Sequence, residues 1–525
     1  MKKYLGIDFG TTNSTVAIYD LDTGCLVLDE NKRAVPIDEE VQARAIQGIP
    51  TLYCKYGEQE FFGLDCRKGY DICKEMKKTI RNDFKSLTDH ISVGTSSYSV
   101  KNMIKGFLNY LIKLAQEKLE FDWNDIAGVT VTAPICQGEE SSATVYKNFL
   151  KSEVEKIIQE HNSRFSKDDV YVLEEPVAAA ISYLYNDKNK IKVDGKGHIM
   201  VFDLGGGTLD VSIVGYDSCS NSCKIVAKAG DNLGGSDWDL YLQEHILEKI
   251  KYDQVISSEN QFNFEEKAKT CKHALSYDNA HTFLWTVNGD RIRATIDRKD
   301  FEQVTEGLRE KAKDVIKEAK GKFGGNIDKI VLVGGGSNMP QIKNQVFYAE
   351  NSMGKVIQHN PSMAIAIGAA KYAQIRWNKL HGNPLSSSTT GITDIATHTY
   401  GFCAATSEND DKKMIYCMIH EGTAFNAEGK IIAQTSPNWH AHKEDYDKFF
   451  VSLYEVNKNV EKSDWAELTD GKELELSVEI PVPTEYKDRV KNYNVSIEFV
   501  LDQNNILRIN VYHNNKRVGE GKYKI

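Results

Sequence analysis

Short apolar runs separated by glycine turns alternate with amphipathic stretches along the first 380 residues of the chain. Two pairs of apolar runs, 4–7 with 16–18 and 199–202 with 211–214, each enclose one glycine-containing turn. An apolar run, a tight turn and a second apolar run predict a β-hairpin at both places. Because strands and helices alternate, the pattern predicts an α/β fold. The helical periodicity lies at 100–119, 142–162, 237–251 and 300–320.

The pattern changes after Trp377. Residues 381–391 are small and polar, which is the composition of a flexible linker. Beyond them, strand-like alternation recurs at 448–454, 495–500 and 506–511, and no long helical period is present. The C-terminal part is therefore predicted to be a β domain.

The two predicted hairpins carry the same kind of turn. The first turn reads Asp8-Phe9-Gly10-Thr11-Thr12-Asn13, and the second reads Asp203-Leu204-Gly205-Gly206-Gly207-Thr208. Glycine lets a phosphate oxygen approach the main chain, because no Cβ stands in the way. Turn amides and threonine hydroxyls can then donate hydrogen bonds to that oxygen. Two such turns that face each other would hold a polyphosphate from both sides, so the sequence predicts a duplicated phosphate clamp.

A third glycine motif follows the apolar run 329–333. It reads Gly334-Gly335-Gly336-Ser337-Asn338, and Pro340 comes shortly afterwards. This order predicts a strand, a glycine turn and a helix with proline near its first position. A helix that begins here would present free amides to a ligand. From the residues alone, a tight strand-to-helix turn without a ligand is equally consistent.

Composition narrows the class of protein. The 525 residues suggest about three domains, with 41% hydrophobic and 27% charged residues, an ordinary globular balance. A net charge of −10 disfavours a nucleic-acid partner, and no run has the length of a membrane-spanning helix or a signal-peptide core. Ten cysteines without a Cys-x-x-Cys pair favour neither a disulfide scaffold nor a zinc site. We therefore expect a cytoplasmic monomer without nucleic-acid or membrane partners.

Together, the motifs resemble the actin-like ATPase superfamily and, within it, the 70-kilodalton heat-shock (DnaK-like) chaperones. The resemblance implies a duplicated actin-like ATPase domain, with two lobes around a nucleotide cleft, followed by a C-terminal β-sandwich. The expected bounds are 1–192 and 193–380 for the lobes, 381–391 for the linker and 392–525 for the β-sandwich. The segments that match, in the family's order, are 6–14, 173–180, the Gly205 turn, 233–239, the Gly334 turn and 360–370.

The resemblance also implies ATP or ADP as ligand and a magnesium ion that Asp8 and Asp203 hold through water. Segment 75–80 resembles the family's lysine-bearing segment and points to Lys77, with Lys78 as the alternative one residue away. A lysine here would stabilise charge on the transferred phosphoryl group. Asp210 and Glu175 would orient ligand or water. The implied catalytic residues are Lys77, Glu175, Asp203 and Thr208. The implied nucleotide contacts are Gly10, Thr11, Thr12, Asn13, Gly205, Gly206, Gly207, Thr208, Gly234, Gly235, Lys272, Ser276, Gly334, Gly335, Gly336 and Asn338.

The chain departs from the family pattern where the base would bind. Lys269 and His273 replace a glutamate and an arginine, and Asn338 replaces an arginine that would stack on the base. An acidic pair of the family is replaced by Ser362 and Met363. Because asparagine cannot supply the stacking of a guanidinium, we expect weaker or altered base recognition, with ATP as the first ligand to test.

The function that the resemblance implies is that of an ATP-binding and slowly hydrolysing chaperone, which assists protein folding through nucleotide-dependent peptide binding. Extended peptide segments, and co-chaperones or exchange factors, are the expected partners. The family's helical lid is expected to be absent, because the chain stops at Ile525. The family's apolar linker is replaced by the Ser/Thr segment 386–390, which leaves interdomain coupling open.

Two other functions fit the same motifs. One is a nucleotide-gated regulatory or scaffold protein with little turnover, which the altered base pocket and linker favour. The other is a small-molecule kinase of the same superfamily. The long β-rich tail and the chaperone-like Asp203 turn argue against the kinase.

Overall fold

In the computed structural model, the chain folds into two compact units, Met1–Ile392 and Thr393–Ile525. The structure describes residues 2–20, 24–29, 31–37, 48–66, 72–74, 76–77, 90–93, 96–134, 140–185, 195–217, 222–252, 254–347, 356–359, 361–381, 399–405, 412–420, 423, 430–436, 438–440, 448–456, 465–486, 493–502 and 506–524.

The first unit combines strands and helices, so the α/β fold predicted for this part of the chain is confirmed. Its strands are β1 (Lys3–Asp8), β2 (Asn13–Asp20), β3 (Gly24–Leu28), β4 (Ala34–Ile37), β5 (Ile49–Pro50), β6 (Tyr53–Tyr56), β7 (Gln59–Phe62), β8 (Ile72–Cys73), β9 (His90–Val93), β10 (Ser96–Ser99), β11 (Ile126–Ala133), β12 (Val170–Glu174), β13 (Lys196–Leu204), β14 (Leu209–Asp217), β15 (Ser222–Asp231), β16 (Ala280–Val287), β17 (Asp290–Asp297), β18 (Lys329–Val333) and β19 (Val356–Gln358). Its α-helices are α1 (Val100–Leu119), α2 (Glu140–Gln159), α3 (Glu175–Leu184), α4 (Gly235–Lys249), α5 (Ser258–Leu275), α6 (Arg298–Val304), α7 (Glu306–Phe323) and α8 (Ala364–Leu380).

Both predicted glycine hairpins are confirmed, as β1–β2 and β13–β14. Helix α1 has the predicted bounds, and α2 and α4 begin two residues earlier than predicted. The fourth predicted helix is two helices, because the chain breaks at Thr305, whose hydroxyl donates to the Phe301 carbonyl at 2.7 Å.

The predicted order of strand, glycine turn and helix is present after β18. Residues Gly335–Asn338 form a 3₁₀ turn, and a short helical segment begins at Pro340, as predicted, and continues as the π-helical turn Ile342–Val346. The amides of Ser337 and Met339 bond to the carbonyls of Gly334 and Gly336, which tightens the turn.

The two large sheets of the first unit repeat one strand arrangement. In the first, β12, β11 and β1 are parallel, and β1, β2, β3 and β4 follow as an antiparallel meander. In the second, β19, β18 and β13 are parallel, and β13, β14 and β15 are antiparallel. Each glycine hairpin therefore lies at the centre of its sheet, at the junction of parallel and antiparallel pairing.

Helix α8 packs on the first sheet, α3 packs on the second, and the two helices pack on each other. Their contact depends on missing side chains. A Cβ at Gly368 of α8 would overlap the Ala178 carbonyl of α3, and a Cβ at Gly6 of β1 would overlap the α8 backbone at Ala366 and Ala370. Because the elements approach this closely, one buried apolar cluster joins residues of both sheets and both helices. That cluster sets the positions of the two hairpin turns.

The described elements of the second unit are strands and two short 3₁₀ turns, at 468–470 and 484–486. The strands are β20 (Thr399–Ala405), β21 (Lys413–Ile419), β22 (Lys430–Gln434), β23 (Lys448–Val456), β24 (Trp465–Glu467), β25 (Gly471–Pro481), β26 (Ser496–Asp502), β27 (Ile506–His513) and β28 (Lys516–Lys524). The two sheets are antiparallel, with strand orders β24-β21-β20-β23-β25 and β22-β26-β27-β28, and residues of both sheets share one apolar core. Three predicted strands fall on β23, β26 and β27. The predicted linker, apart from residue 381, lies outside the described residues.

A membrane-spanning helix and a metal-binding cluster are both absent from the described residues. None of the helices found there has an apolar stretch long enough to cross a membrane. No group of three or more His, Cys, Asp or Glu side chains that could hold a metal ion was found among those residues either.

Candidate functional site

A cavity of about 220 Å³ opens in the first unit where the glycine turns come together. The structure brings to its wall every predicted site residue except Gly207, Asp210 and Gly234. Those that line it are Asp8, Gly10, Thr11, Thr12, Asn13, Lys77, Glu175, Asp203, Gly205, Gly206, Thr208, Gly235, Lys272, Ser276, Gly334, Gly335, Gly336 and Asn338.

A closed ring of hydrogen bonds supports the first turn. The Gly10 amide donates to Ser14 Oγ at 3.1 Å, Ser14 Oγ lies 2.8 Å from Thr51 Oγ1, and Thr51 Oγ1 donates to the Gly10 carbonyl at 2.9 Å. The Thr51 amide also donates to the Thr12 carbonyl at 2.8 Å. Ser14 and Thr51 are fully buried, so water does not compete for these bonds. The ring holds the turn in shape at the cavity wall.

The second turn is held by the first residues of α4. The amides of Gly235 and Ser236 donate to the carbonyls of Gly205 and Gly206 at 2.9 and 2.7 Å. A Cβ at Gly234 would overlap the backbone of Gly207. Gly207 and Gly234 therefore pack on each other and are not among the residues that line the cavity, so their predicted role in nucleotide binding stays a prediction.

The two hairpin turns approach each other directly. A Cβ at Gly206 would overlap the side chain of Thr12, so no side chain fits between the turns here. Gly334 lies against the second turn with φ of +79°, and its amide donates to the Pro361 carbonyl at 2.6 Å. A side chain at residue 334 would reach the Asp203 carboxylate. The three glycine motifs that are distant in sequence thus form one end of a single cavity.

Lys77 is the buried cation at this end of the cavity. Its side chain is 4% exposed, and Nζ lies 2.5 Å from Glu175 Oε1. Nζ also donates to the Phe9 carbonyl in the first turn. The alternative, Lys78, lies outside the described residues. Lys77 therefore links the first turn to the N-terminus of α3, where Glu175 is the first residue.

Asp8 lies beside this ion pair and is partly exposed at the cavity wall. Thr132 Oγ1 donates to Asp8 Oδ1 at 3.4 Å. Burial, and next the negative charge of Glu175, raise the pKa of Asp8 to about 7, against the opposing effects of Lys77 and Thr132. A cation bound here would favour the ionised carboxylate, so the pKa reports a place suited to positive charge.

Asp203 and Asp210 differ in position although both are buried. Asp203 lines the cavity, whereas Asp210 does not. The two residues are paired across the β13–β14 hairpin. The predicted role of Asp210 in orienting ligand or water stays a prediction, because the structure shows only that this residue is not part of the cavity wall.

The last turns of α5 form another part of the cavity wall. Lys272 Nζ lies 2.8 Å from Asp239 Oδ1 and donates to the Gly235 carbonyl at 2.7 Å. Burial lowers the pKa of Lys272, and Asp239 opposes the shift. Burial, and then the charges of Lys272 and Lys269, lower the pKa of His273 to about 4, so its imidazole is neutral at pH 7.

The Gly334 turn contributes Asn338 to the cavity wall. Its Oδ1 accepts a hydrogen bond from Gln358 Nε2 at 2.8 Å, which fixes the amide. Ser362 also lines the cavity, so the departures from the family pattern, apart from Met363, share this one wall.

Sequence reasoning missed several residues of the site. Thr51 is 37 positions from Ser14, in the connection between β5 and β6, and no sequence signal connects the two residues. Asp239 and Tyr277 could have been predicted from their neighbours in the sequence. Asp239 lies on α4 shortly after Gly234, and Tyr277 follows Ser276 directly. Gly48, Ser236, Asp239 and Tyr277 also line the cavity.

Comparisons with known proteins find similarity to Hsp70-type chaperones. A family model described as "Hsp70 protein" matches residues 168–413. The chain is 28% identical to the chaperone protein DnaK of Ureaplasma urealyticum and 27% identical to that of Mycoplasma mobile, in alignments that cover 70% of this chain and 57% of each relative. It is 26% identical to the chaperone protein HscA of Buchnera aphidicola, over 72% of this chain and 71% of the relative. The chain thus spans 57% of the length of these DnaK relatives.

Proposed function

Because the chain belongs to the Hsp70 family, we propose that it is an ATP-binding chaperone that hydrolyses ATP slowly and binds extended peptide segments. The observation that carries this proposal is the meeting of both glycine hairpin turns with four charged side chains at one end of the cavity. Those side chains are Asp8, Lys77, Glu175 and Asp203. The relatives named DnaK and HscA are called chaperone proteins, which supports the same function.

The residues suit a magnesium nucleotide. Carboxylates are the preferred protein partners of magnesium, which keeps most of its waters. Asp8 and Asp203 would hold the ion through those waters, and the raised pKa of Asp8 marks a place where positive charge is favoured. Bound magnesium would neutralise charge on the β- and γ-phosphates.

The protein's own groups would bind and orient the nucleotide. The turn amides, with Thr11, Thr12 and Thr208, would donate to phosphate oxygens. Lys77 would exchange its contact with the Phe9 carbonyl for a γ-phosphate oxygen and stabilise the charge that develops there. Glu175 would keep Lys77 in place and orient the attacking water.

We further propose the domain arrangement implied by the family. The lobes would comprise about 1–192 and 193–380, the linker 381–391, and a peptide-binding β-sandwich 392–525. The two antiparallel sheets of the second unit share one core and could bind a peptide through main-chain hydrogen bonds and an apolar pocket. A cytoplasmic monomer that works with co-chaperones or exchange factors fits this proposal.

A second candidate function is a nucleotide-gated regulatory protein with little turnover. The neutral His273 and the Asn338 amide at the base end favour it, because neither supplies the charge or the planar stacking surface of arginine. Single-turnover ATP hydrolysis, with and without a model peptide, separates the two functions. Hydrolysis that a peptide accelerates supports the chaperone, and binding without hydrolysis supports the regulator.

Calorimetry with magnesium and ADP or ATP tests the site itself. We expect Asp203→Asn to weaken magnesium-dependent nucleotide binding and to slow hydrolysis at least tenfold. The matched control is Asp314→Asn, which removes an exposed carboxylate on α7 and should change neither. If the wild-type chain binds no nucleotide, or if both variants behave alike, the proposed site is wrong.

A further inference from the structure

One aromatic ring lies exposed on the wall of the cavity. Tyr277 comes directly after Ser276, which caps the C-terminus of α5, and its side chain is 62% exposed. Among the described residues that line the cavity, it alone carries a benzene ring. A large apolar surface left open in a concave site is available for a flat ligand group.

Tyr277 lines the cavity but belongs neither to the glycine turns nor to the charged side chains of the phosphate clamp. Lys272 contacts the Gly235 carbonyl beside the second turn, so the α5 C-terminus continues from the clamp along the wall. Lys269, His273 and Ser276 are spaced by one helical turn each and line the same wall. A nucleotide with its phosphates between the turns would direct its base toward this C-terminal end of α5.

The side chains at this end offer mainly hydrogen-bond donors to the edge of a base. Lys269 has an ammonium group. Because the Oδ1 of Asn338 already accepts a hydrogen bond from Gln358, its Nδ2 is the group of that amide that would donate to a base. The Asp239 carboxylate, which could accept a bond from an amino group, is bonded to Lys272 at 2.8 Å. Guanine presents two acceptors, O6 and N7, on the edge where adenine presents N7 and an amino donor. A donor-rich wall therefore gives adenine no advantage.

We propose that Tyr277 is the base-stacking residue and that this end of the cavity accepts guanine as well as adenine. The inference rests on the proposed nucleotide-binding function and extends it to the class of base. Stacking on an aromatic ring tolerates every base, because each base has a π face.

Calorimetry on the full chain with magnesium tests the proposal, using ADP, GDP and pyrophosphate as probes. For the wild type we expect the Kd values of ADP and GDP to lie within tenfold of each other. Tyr277→Ser should weaken both nucleotides about tenfold, which corresponds to ~1.4 kcal/mol. Tyr277→Phe, the matched control that keeps the ring, should retain wild-type affinity. Pyrophosphate should bind all three proteins equally.

Several outcomes would overturn the proposal. A preference for ADP of more than tenfold refutes base tolerance. A loss of less than threefold in Tyr277→Ser, or an equal loss in Tyr277→Phe, refutes stacking, and so does a parallel loss of pyrophosphate binding. In these cases the wild type still binds nucleotide and the proposed function stands. If the wild type binds none of the three probes, the proposed function fails and the inference fails with it.

Discussion

Replacing Thr51 by valine tests whether a buried hydrogen-bond ring holds the first turn of the site. Valine keeps the shape of threonine but removes a hydroxyl that bonds the Gly10 carbonyl at 2.9 Å and Ser14 Oγ at 2.8 Å. Both partners lose a buried bond, and each loss costs ~1–1.5 kcal/mol. We therefore expect the β1–β2 hairpin to lose ~2–3 kcal/mol of local stability.

Hydrogen exchange followed by mass spectrometry measures this loss locally, without assuming that the two units unfold together. Peptides that cover β1 and β2 should exchange about 30- to 150-fold faster in Thr51→Val, since ~1.4 kcal/mol is tenfold. Peptides from the second unit should exchange as in the wild type. Nucleotide affinity should also fall, because the Gly10 turn is less ordered.

The matched control is Thr130→Val in β11 of the same sheet. Thr130 is also fully buried, but its hydroxyl has no hydrogen-bond partner among the described residues. Removing an unpaired buried hydroxyl should leave protection unchanged or raise it. Equal effects of the two substitutions, or unchanged exchange in Thr51→Val, would refute the role of the ring.

Two further predictions concern charge and packing. With EDTA present, the free energy of unfolding should fall as the pH rises from about 4 to about 7. The pKa of Asp8 is about 7 in the folded state and 3.8 in the reference state. The folded state therefore binds more protons than the unfolded state in this pH range. Asp8→Asn should remove this component, at most ~4 kcal/mol, in urea titrations at pH 5 and 7, and an unchanged slope would contradict the raised pKa. Gly368→Ala should lower the melting temperature of the first unit, since the new Cβ would overlap the Ala178 backbone at a cost of ~1–3 kcal/mol. Gly321→Ala, a helical position with open space around it, should instead stabilise by ~1 kcal/mol, and effects of the same sign at both positions would count against the packing argument.

Local patterns were sufficient for most of the secondary structure. The apolar runs around Gly10 and Gly205 predicted both hairpins, because alternation of side chains and a glycine turn are properties of neighbouring residues. The helix at 100–119 was found with its bounds for the same reason. The helical segment that begins at Pro340 was also expected, whereas the 3₁₀ form of the preceding turn was not, because amide contacts within the turn decide it.

Some site residues could likewise be predicted from local motifs, whereas others depend on contacts between distant parts of the chain. Glycines and threonines of the turns could be named from their motifs. Thr51, by contrast, is chosen by its distance to Ser14 in space, and Gly207 and Gly234 are removed from the wall by their contact with each other. The pKa of Asp8 depends on Glu175 and Lys77, which are far from it in sequence.

The amino-acid order alone thus determined that the same kind of glycine and threonine turn occurs twice, since the geometry of a glycine turn depends on adjacent residues. Whether the turns face one ligand was decided by the packing of α3 and α8, where Gly368 and Gly6 let backbones touch. Buried charges likewise acquire their protonation from neighbours that only folding brings within a few ångströms, because electrostatic interactions depend on distance in space and on exclusion of water.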